Sequence, residues 1–342
     1  MSISDRPTMT DVAARAKVSL KTVSRVVNGE PGVAAATIET VEKAVAELGY
    51  RADLQARGLR RGDRRSQSVG LIVSAIANPF DAEIHGAVEA FAGERDIVVL
   101  GLSSGGDPDI ELRRATSLFE RQIDGLIISC AGPDQQPLID LAEKRPVVFI
   151  DREPSVPLGD AVVTDNQMGA VRATRHLVTA GHRRIALLAD DQRIQTARLR
   201  CEGFLAAMDE FGIGPDAELI RCDLLNEEMA HAATHELLSS PNPPTAIFAA
   251  QNALTIGALR AIHQLGLEGR VGLVSFDDIP HGDMFPVGLT AITQDPTRIG
   301  QVAIERLLGR IDGSITTPPE RIVVPTGFVV RGSGEIPPPN GE

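Results

Sequence analysis

From Ser68 onward the chain alternates short apolar runs with amphipathic stretches, and this rhythm restricts the fold more than any other feature. The first runs are VGLIV (69–73), IVVLGL (97–102), DGLIIS (124–129) and PVVFID (146–151). Amphipathic segments near 81–94, 109–122 and 135–144 separate them. Strands parted by helices predict βαβ units and a parallel sheet. The rhythm restarts after Asp165, with RIALLA (184–189), AIFAA (246–250) and VGLVSF (271–276), and helices near 166–180, 197–212, 227–239 and 252–265. The element order repeats without a tight sequence repeat, so two similar α/β lobes are expected. A last helix near 298–311 and the strands RIVVP (321–325) and GFVVR (327–331) follow both lobes.

The stretch before Ser68 has a helical period instead. In TDVAARAKVSLKTVSRVVN (10–28), Thr10 is a plausible N-cap, and Val12, Ala13 and Ala16 form a small apolar face. Lys17, Val18 and Ser19 make a turn, and Ser19 can cap a second helix. That helix has Val23, Val26 and Val27 on its inner side and Lys21 and Arg25 on its outer side. A third helix carries Ile38, Val41, Val45 and Leu48. Three helices of this size predict a helix-turn-helix domain whose second helix can lie in a DNA major groove. The following RADLQARGLRRGDRR (51–65) holds six arginines against Asp53 and Asp63. Ala52, Ala56 and Leu59 could share one side of a short helix. Such a helix would form best against a polyanion, with Leu59 as a minor-groove wedge. A solvated basic linker would have the same composition.

Charge supports a division of labour. The chain has net charge −12, yet residues 1–66 hold 12 basic and 8 acidic side chains, +4, leaving −16 on the rest. A basic head on an acidic body can bind nucleic acid at one end and repel it elsewhere. No apolar run reaches transmembrane length and the N-terminal residues lack an apolar signal core, so no membrane partner is expected. Cys130, Cys201 and Cys222 are scattered and suit a reducing cytoplasm.

The stretches TMTDVAARAKVSLKTVSRVVNG, ELGYRA and ARGLRRG resemble the lac-repressor (LacI/GalR) family of bacterial transcription regulators. The resemblance continues through NPF (78–80), DGLII (124–128), HLVTAGHRRIALL (176–188), GALRAI (257–262) and VSFDD (274–278). It implies two periplasmic-binding-protein-like lobes of type I, joined by three connections near 164, 293 and 326. Departures from the family pattern are Lys17 where Gly is usual, Asp81 where a second Phe often stands, and Gln251-Asn252 in place of Asn-Asp. If the turn at Lys17 needs a positive φ, a lysine there costs roughly 1 kcal/mol.

Ligands of open parallel sheets bind beyond the carboxyl ends of the strands. The polar residues after each apolar run are therefore the candidates: Asn78 and Phe80, Asp151 and Arg152, Gln251, Asp277 and Gln294, with Arg200 from the helix after 189. Carboxylates accept from vicinal hydroxyls, arginines donate to them, and Phe covers an apolar ring face. Asp151 and Asp277 could instead cap helices, Arg200 could form a surface ion pair, and Phe80 could pack as core. The resemblance places Phe80, Asp151, Arg200, Gln251, Asp277 and Gln294 at effector contacts. Similarity to ribose-type periplasmic binding proteins favours a pentose or a pentose-containing ligand such as a nucleoside.

Catalysis is not expected. Gly101 to Gly105 match G-x-S-x-G, but the next helix begins only after Gly106-Asp107-Pro108, so no nucleophile elbow forms. His231 and His235 are four apart but lack an intervening Glu and a third ligand, so no metal or other cofactor is expected.

The expected architecture is an all-α helix-turn-helix head (1–50), a hinge helix and linker (51–66), and an α/β body of two doubly wound parallel-sheet lobes (67–335). The N-lobe would span about 67–163 and 294–325 and the C-lobe about 164–293 and 326–335, before a disordered tail at 336–342. The expected function is a cytoplasmic, nucleoid-associated, homodimeric repressor of transcription. It would bind a pseudo-palindromic double-stranded operator under control of a small polyhydroxylated effector. Ser19, Leu20, Lys21, Thr22, Arg25, Ala56 and Leu59 are the expected DNA contacts. The alternative is a sugar-binding module or an enzyme on the same lobes without DNA function.

Overall fold

The computed structural model describes residues 7–27, 30–50, 65–214 and 216–339, which fall into two compact units. The first runs up to Ser68 and includes Gln122–Asp124; the second is the remainder. Residues 51–64, with Ala56 and Leu59, lie outside the described residues.

In the first unit α1 (Met9–Ala16), α2 (Leu20–Val27) and α3 (Ala35–Leu48) pack around Val12, Ala13, Ala16, Val23, Val41 and Ala44. The first helix starts earlier than expected because Thr8, not Thr10, is its N-cap. Thr8 Oγ1 accepts from the Asp11 N–H (3.3 Å), and Asp11 Oδ2 accepts from the Thr8 N–H (2.7 Å), a reciprocal capping box. Lys17 ends α1 in the left-handed region, φ 56° and ψ 39°. The Val18 N–H then reaches back to the Ala13 carbonyl (3.1 Å), and Val18 packs on the core. Ser19 caps α2, its Oγ accepting from the Thr22 N–H at 3.1 Å.

The second unit contains two six-stranded sheets. One has the order β11-β5-β4-β3-β1-β2, built from β1 (Ser68–Val73), β2 (Val98–Ser103), β3 (Leu126–Ile128), β4 (Val147–Ile150), β5 (Asp160–Thr164) and β11 (Arg321–Val324). The other has the order β12-β10-β9-β8-β6-β7, from β6 (Ile185–Leu188), β7 (Ile220–Arg221), β8 (Ala246–Ala249), β9 (Gly272–Phe276), β10 (Thr290–Thr293) and β12 (Gly327–Val329). Both sheets carry parallel pairings along their centres, but β12 lies antiparallel to β10 at its edge. The chain leaves the first sheet after β5, returns after β10 and crosses again between β11 and β12. Near the crossings Asp165 Oδ1 accepts from the Thr326 N–H (2.7 Å), tying the first connection to the third.

Helices cover both sheets. In sequence order they are α4 (Pro79–Gly93), α5 (Pro108–Glu120), α6 (Gln136–Ala142), α7 (Asn166–Thr179), α8 (Gln195–Glu210), α9 (Glu227–Leu238), α10 (Asn252–Gln264) and α11 (Pro296–Asp312). The pairs α7/α8 and α9/α10 approach closely at glycines. A Cβ on Gly203 would lie 2.3 Å from the Gln167 carbonyl oxygen, and one on Gly257 would lie 2.4 Å from that of Glu227. The central strands are apolar on both faces because helices cover both, whereas the edge strands β2, β7, β11 and β12 are only partly buried.

The strand DAVVT (160–164) and the two-residue β7 were not anticipated from the sequence. The tail differs from the expected disorder. His182 Nε2 donates to the Ile336 carbonyl at 2.8 Å, and Pro338 lies against Gly181; residues 340–342 are outside the described residues.

Candidate functional site

Between the carboxyl ends of the two sheets lies a cleft of about 630 Å³. Asn78, Phe80, Asp151, Arg152, Arg200, Gln251, Asp277 and Gln294 all line it. Strand ends explain the convergence: each apolar run stops at the rim, and the next polar residue faces the gap between the lobes.

Arg200 is the most constrained of these groups. It is only 5% exposed. Its Nε donates to Asn166 Oδ1 and its Nη1 to the Ala250 carbonyl, both at 2.8 Å. The guanidinium lies 3.7 Å from the centre of the Phe276 ring, and Nη1 is 3.8 Å from Asp277 Oδ2. Asp277 also accepts from Gln294 Nε2 at 2.6 Å. The Gln294 Oε1 is buried without a hydrogen-bond partner, which leaves an acceptor for a donor in the cleft. Arg198 points elsewhere and pairs with Glu202 along the helix at 3.7 Å.

On the opposite wall Arg152 Nη1 donates to the Cys130 carbonyl (2.9 Å), and its Nε is 3.5 Å from Asp151 Oδ2. That Nε is buried and makes no hydrogen bond. Burial raises the Asp151 carboxyl above the usual range, against the opposing pull of Arg152 and Arg200. Asn78 caps α4, its Oδ1 accepting from the Phe80 N–H at 3.1 Å. The same oxygen accepts from Asn252 Nδ2 at 2.9 Å, so one amide links the two lobes. A second link runs from the Glu153 N–H to Gln195 Oε1 at 3.0 Å.

Three acidic members of the lining, Asp81, Asp190 and Asp191, are absent from the expected contacts. Asp190 follows β6 as Asp277 follows β9, so the strand-end rule applies to it equally. It accepts from the Asp191 N–H (2.6 Å) and from Gln251 Nε2 (3.4 Å), and burial raises its pKa. Asp81 is 4% exposed, and its Oδ2 accepts from the Ala75 N–H at 2.7 Å. Burial, reinforced by Asp151 and Asp277 and opposed by the Ala75 N–H, pushes its carboxyl up to about 7. Asn166, the partner of Arg200, carries no sequence signal because its role depends on tertiary placement.

In the head, Ser19, Leu20 and Lys21 are exposed at the start of α2, and Thr22 is half-buried, its hydroxyl 2.9 Å from that of Ser19. Arg25, expected on the outer side of α2, is engaged with the following loop. Its Nη2 donates to the Pro31 carbonyl, and its Nε lies 3.7 Å from Glu30 Oε2. His231 is also engaged, with Nε2 paired to Gln264 Oε1 at 2.8 Å. No helix among the described residues is long and apolar enough to cross a membrane.

Two family descriptions match this chain in tandem. "Bacterial regulatory proteins, lacI family" covers residues 8–53, and "Periplasmic binding proteins and sugar binding domain of LacI family" covers residues 66–331. The ribose operon repressor of Haemophilus influenzae is 31% identical over 89% of this chain and 92% of its own. A crystal structure of the Lac repressor dimer bound to operator and the anti-inducer ONPF is 27% identical, with a TM-score of 0.83 over 96% of this chain and 99% of that one. A LacI-family transcriptional regulator from Enterococcus faecium with bound ribose is 25% identical, with a TM-score of 0.70 over 79% of this chain and 99% of that one. The relatives named are regulators rather than enzymes. A helical head followed by a two-lobed, cleft-bearing body, matched in that order along almost the whole chain, makes this protein a member of the LacI family of bacterial regulatory proteins.

Proposed function

We propose that the protein is a homodimeric, cytoplasmic repressor, acting at the nucleoid, whose affinity for a pseudo-palindromic operator is set by a sugar-like effector. The observation that carries the reading is the cleft wall in which Asp277, Arg200 and Gln294 converge from three separate segments. Buried Asp and Arg side chains alternate acceptors and donors, which matches vicinal hydroxyls. Five lining carboxylates, Asp81, Asp151, Asp190, Asp191 and Asp277, stand against three arginines, Arg152, Arg193 and Arg200. That balance disfavours a phosphorylated or carboxylated ligand. The similar ribose-bound regulator and ribose operon repressor support a pentose-type effector, and the operator-bound Lac repressor dimer supports pairing of two heads.

Ser19, Leu20, Lys21, Thr22 and Arg25 form the proposed groove-reading surface, with Ala56 and Leu59 of the 51–66 segment in the minor groove. Head, segment and body are taken as 1–50, 51–66 and 67–335. Effector binding favours one angle between the lobes and thereby biases operator affinity. Footprinting on the chain's own operator, with and without a panel of sugars and nucleosides, tests this. Protection that changes with one class of sugar is expected. Absence of any salt-dependent DNA retention would sink the regulator reading.

A further inference from the structure

Both guanidiniums of the cleft are already matched: Arg200 to Asp277 at 3.8 Å and Arg152 to Asp151 at 3.5 Å. At the rim, Arg193 is paired with Asp191. Asp190 faces both cleft arginines. Asp81 has no such counterpart. The strongest charged influences on it are Asp151 and Arg152 beyond β4 and Asp277 beyond β9, two carboxylates against one committed cation. One Asp81 oxygen is held by the Ala75 N–H; the other has no protein partner among the described residues, and the residue lines the cleft. An uncompensated carboxylate at 4% exposure is costly unless a ligand neutralises it.

Building on the sugar reading, we propose that the effector is an amino sugar, with its ammonium received by Asp81 and its hydroxyls by the Asp–Arg pairs. The ammonium supplies the charge that the wall formed by Asp81, Asp151 and Asp277 lacks, and donates to the free Asp81 oxygen. A neutral sugar can donate a hydroxyl to the ionised carboxylate, but it leaves the charge of Asp81 uncompensated. As Asp81 ionises, an ammonium gains a counter-charge that a hydroxyl does not supply, so the amine should gain affinity over its neutral parent as the pH rises.

Calorimetric titration of the full chain with hexosamines and aminopentoses, each beside its neutral parent sugar, tests this. At least one amine should bind about tenfold or more tightly than its parent. Its affinity should rise between about pH 5 and 7, where the amine stays charged while Asp81 ionises. Asp81→Asn should erase the preference for the amine. The wild-type pH profile decides the matter even if that variant folds poorly. Neutral parents binding as tightly as their amines, or amine affinity falling over this range, would overturn the inference alone. Binding by no member of the panel would overturn the sugar reading as well.

Discussion

Asp151 and Asp277 hold the same station in the two lobes. Each follows a central strand, β4 or β9, and each has a positive φ, 63° and 75°. Each donates its N–H to the neighbouring strand, Asp151 to the Val162 carbonyl (3.0 Å) and Asp277 to that of Ile292 (2.9 Å). A left-handed aspartate at a strand end carries a strain of roughly 1 kcal/mol, and strain of this kind collects at functional sites. The lobes therefore present matching carboxylates to one cleft, but the two differ in what depends on them.

Asp277→Ala should destabilise the body by roughly 3 kcal/mol, because it strands a buried guanidinium. Arg200 would keep Asn166 and the Ala250 carbonyl but lose its counter-charge, and Gln294 Nε2 would lose its acceptor. Asp151→Ala should stay within about 1 kcal/mol of the wild type, since burial already disfavours that carboxylate. Urea unfolding of both variants is the measurement. Equal losses would show that the two pairs are energetically alike.

The seven residues drawn from segments after strand ends line one cleft with Arg200 of α8, because an apolar run announces both where a strand stops and which residues meet the rim. Asp190 obeys the same rule after β6 and was legible in principle. Asn166 was not, since only the fold brings it to Arg200. β5 was missed because DAVVT offers three apolar residues, too few for a clear period, and its strand state depends on β4 and β11 on either side. The engagement of Arg25 with Pro31 and Glu30 depends on a loop conformation that helical periodicity does not encode.

Lys17→Gly should stabilise the head. The lysine sits at φ 56°, where a Cβ is disfavoured and glycine is at ease. The gain should be about 1 kcal/mol, or about fivefold slower amide exchange in α1–α3. Exchange in the full chain, followed at Val12, Val23 and Val41, reads it directly. Unchanged or faster exchange would mean that the lysine makes a compensating contact.

Asn252→Ala should loosen the contact between the lobes. The Asn78 oxygen would still cap α4 through the Phe80 N–H; the variant loses the link between lobes and, at the start of α10, the bond from the Ala253 N–H to Asn252 Oδ1 (2.7 Å). One neutral hydrogen bond is worth about 1 kcal/mol, which predicts roughly fivefold weaker effector binding. Small-angle scattering of the unliganded variant should show a larger radius of gyration. An unchanged radius with unchanged affinity would show that the Glu153–Gln195 link suffices alone.

Asp81 should make the stability of the body depend on pH in an unusual direction. Burial, with Asp151 and Asp277 adding to it, raises its pKa from the ordinary 3.8 to about 7, so the folded chain holds this proton more tightly than the unfolded chain does. The resulting stabilisation is fully present below about pH 4 and is lost as the pH rises through about 7. Asp81→Asn never ionises and keeps its stability. The variant's advantage over the wild type should therefore grow from near zero at about pH 4 to as much as about 4 kcal/mol above pH 7. Urea midpoints of the two proteins across this range measure the gap. A gap that stays constant with pH would show that Asp81 ionises in the folded chain as readily as in the unfolded one.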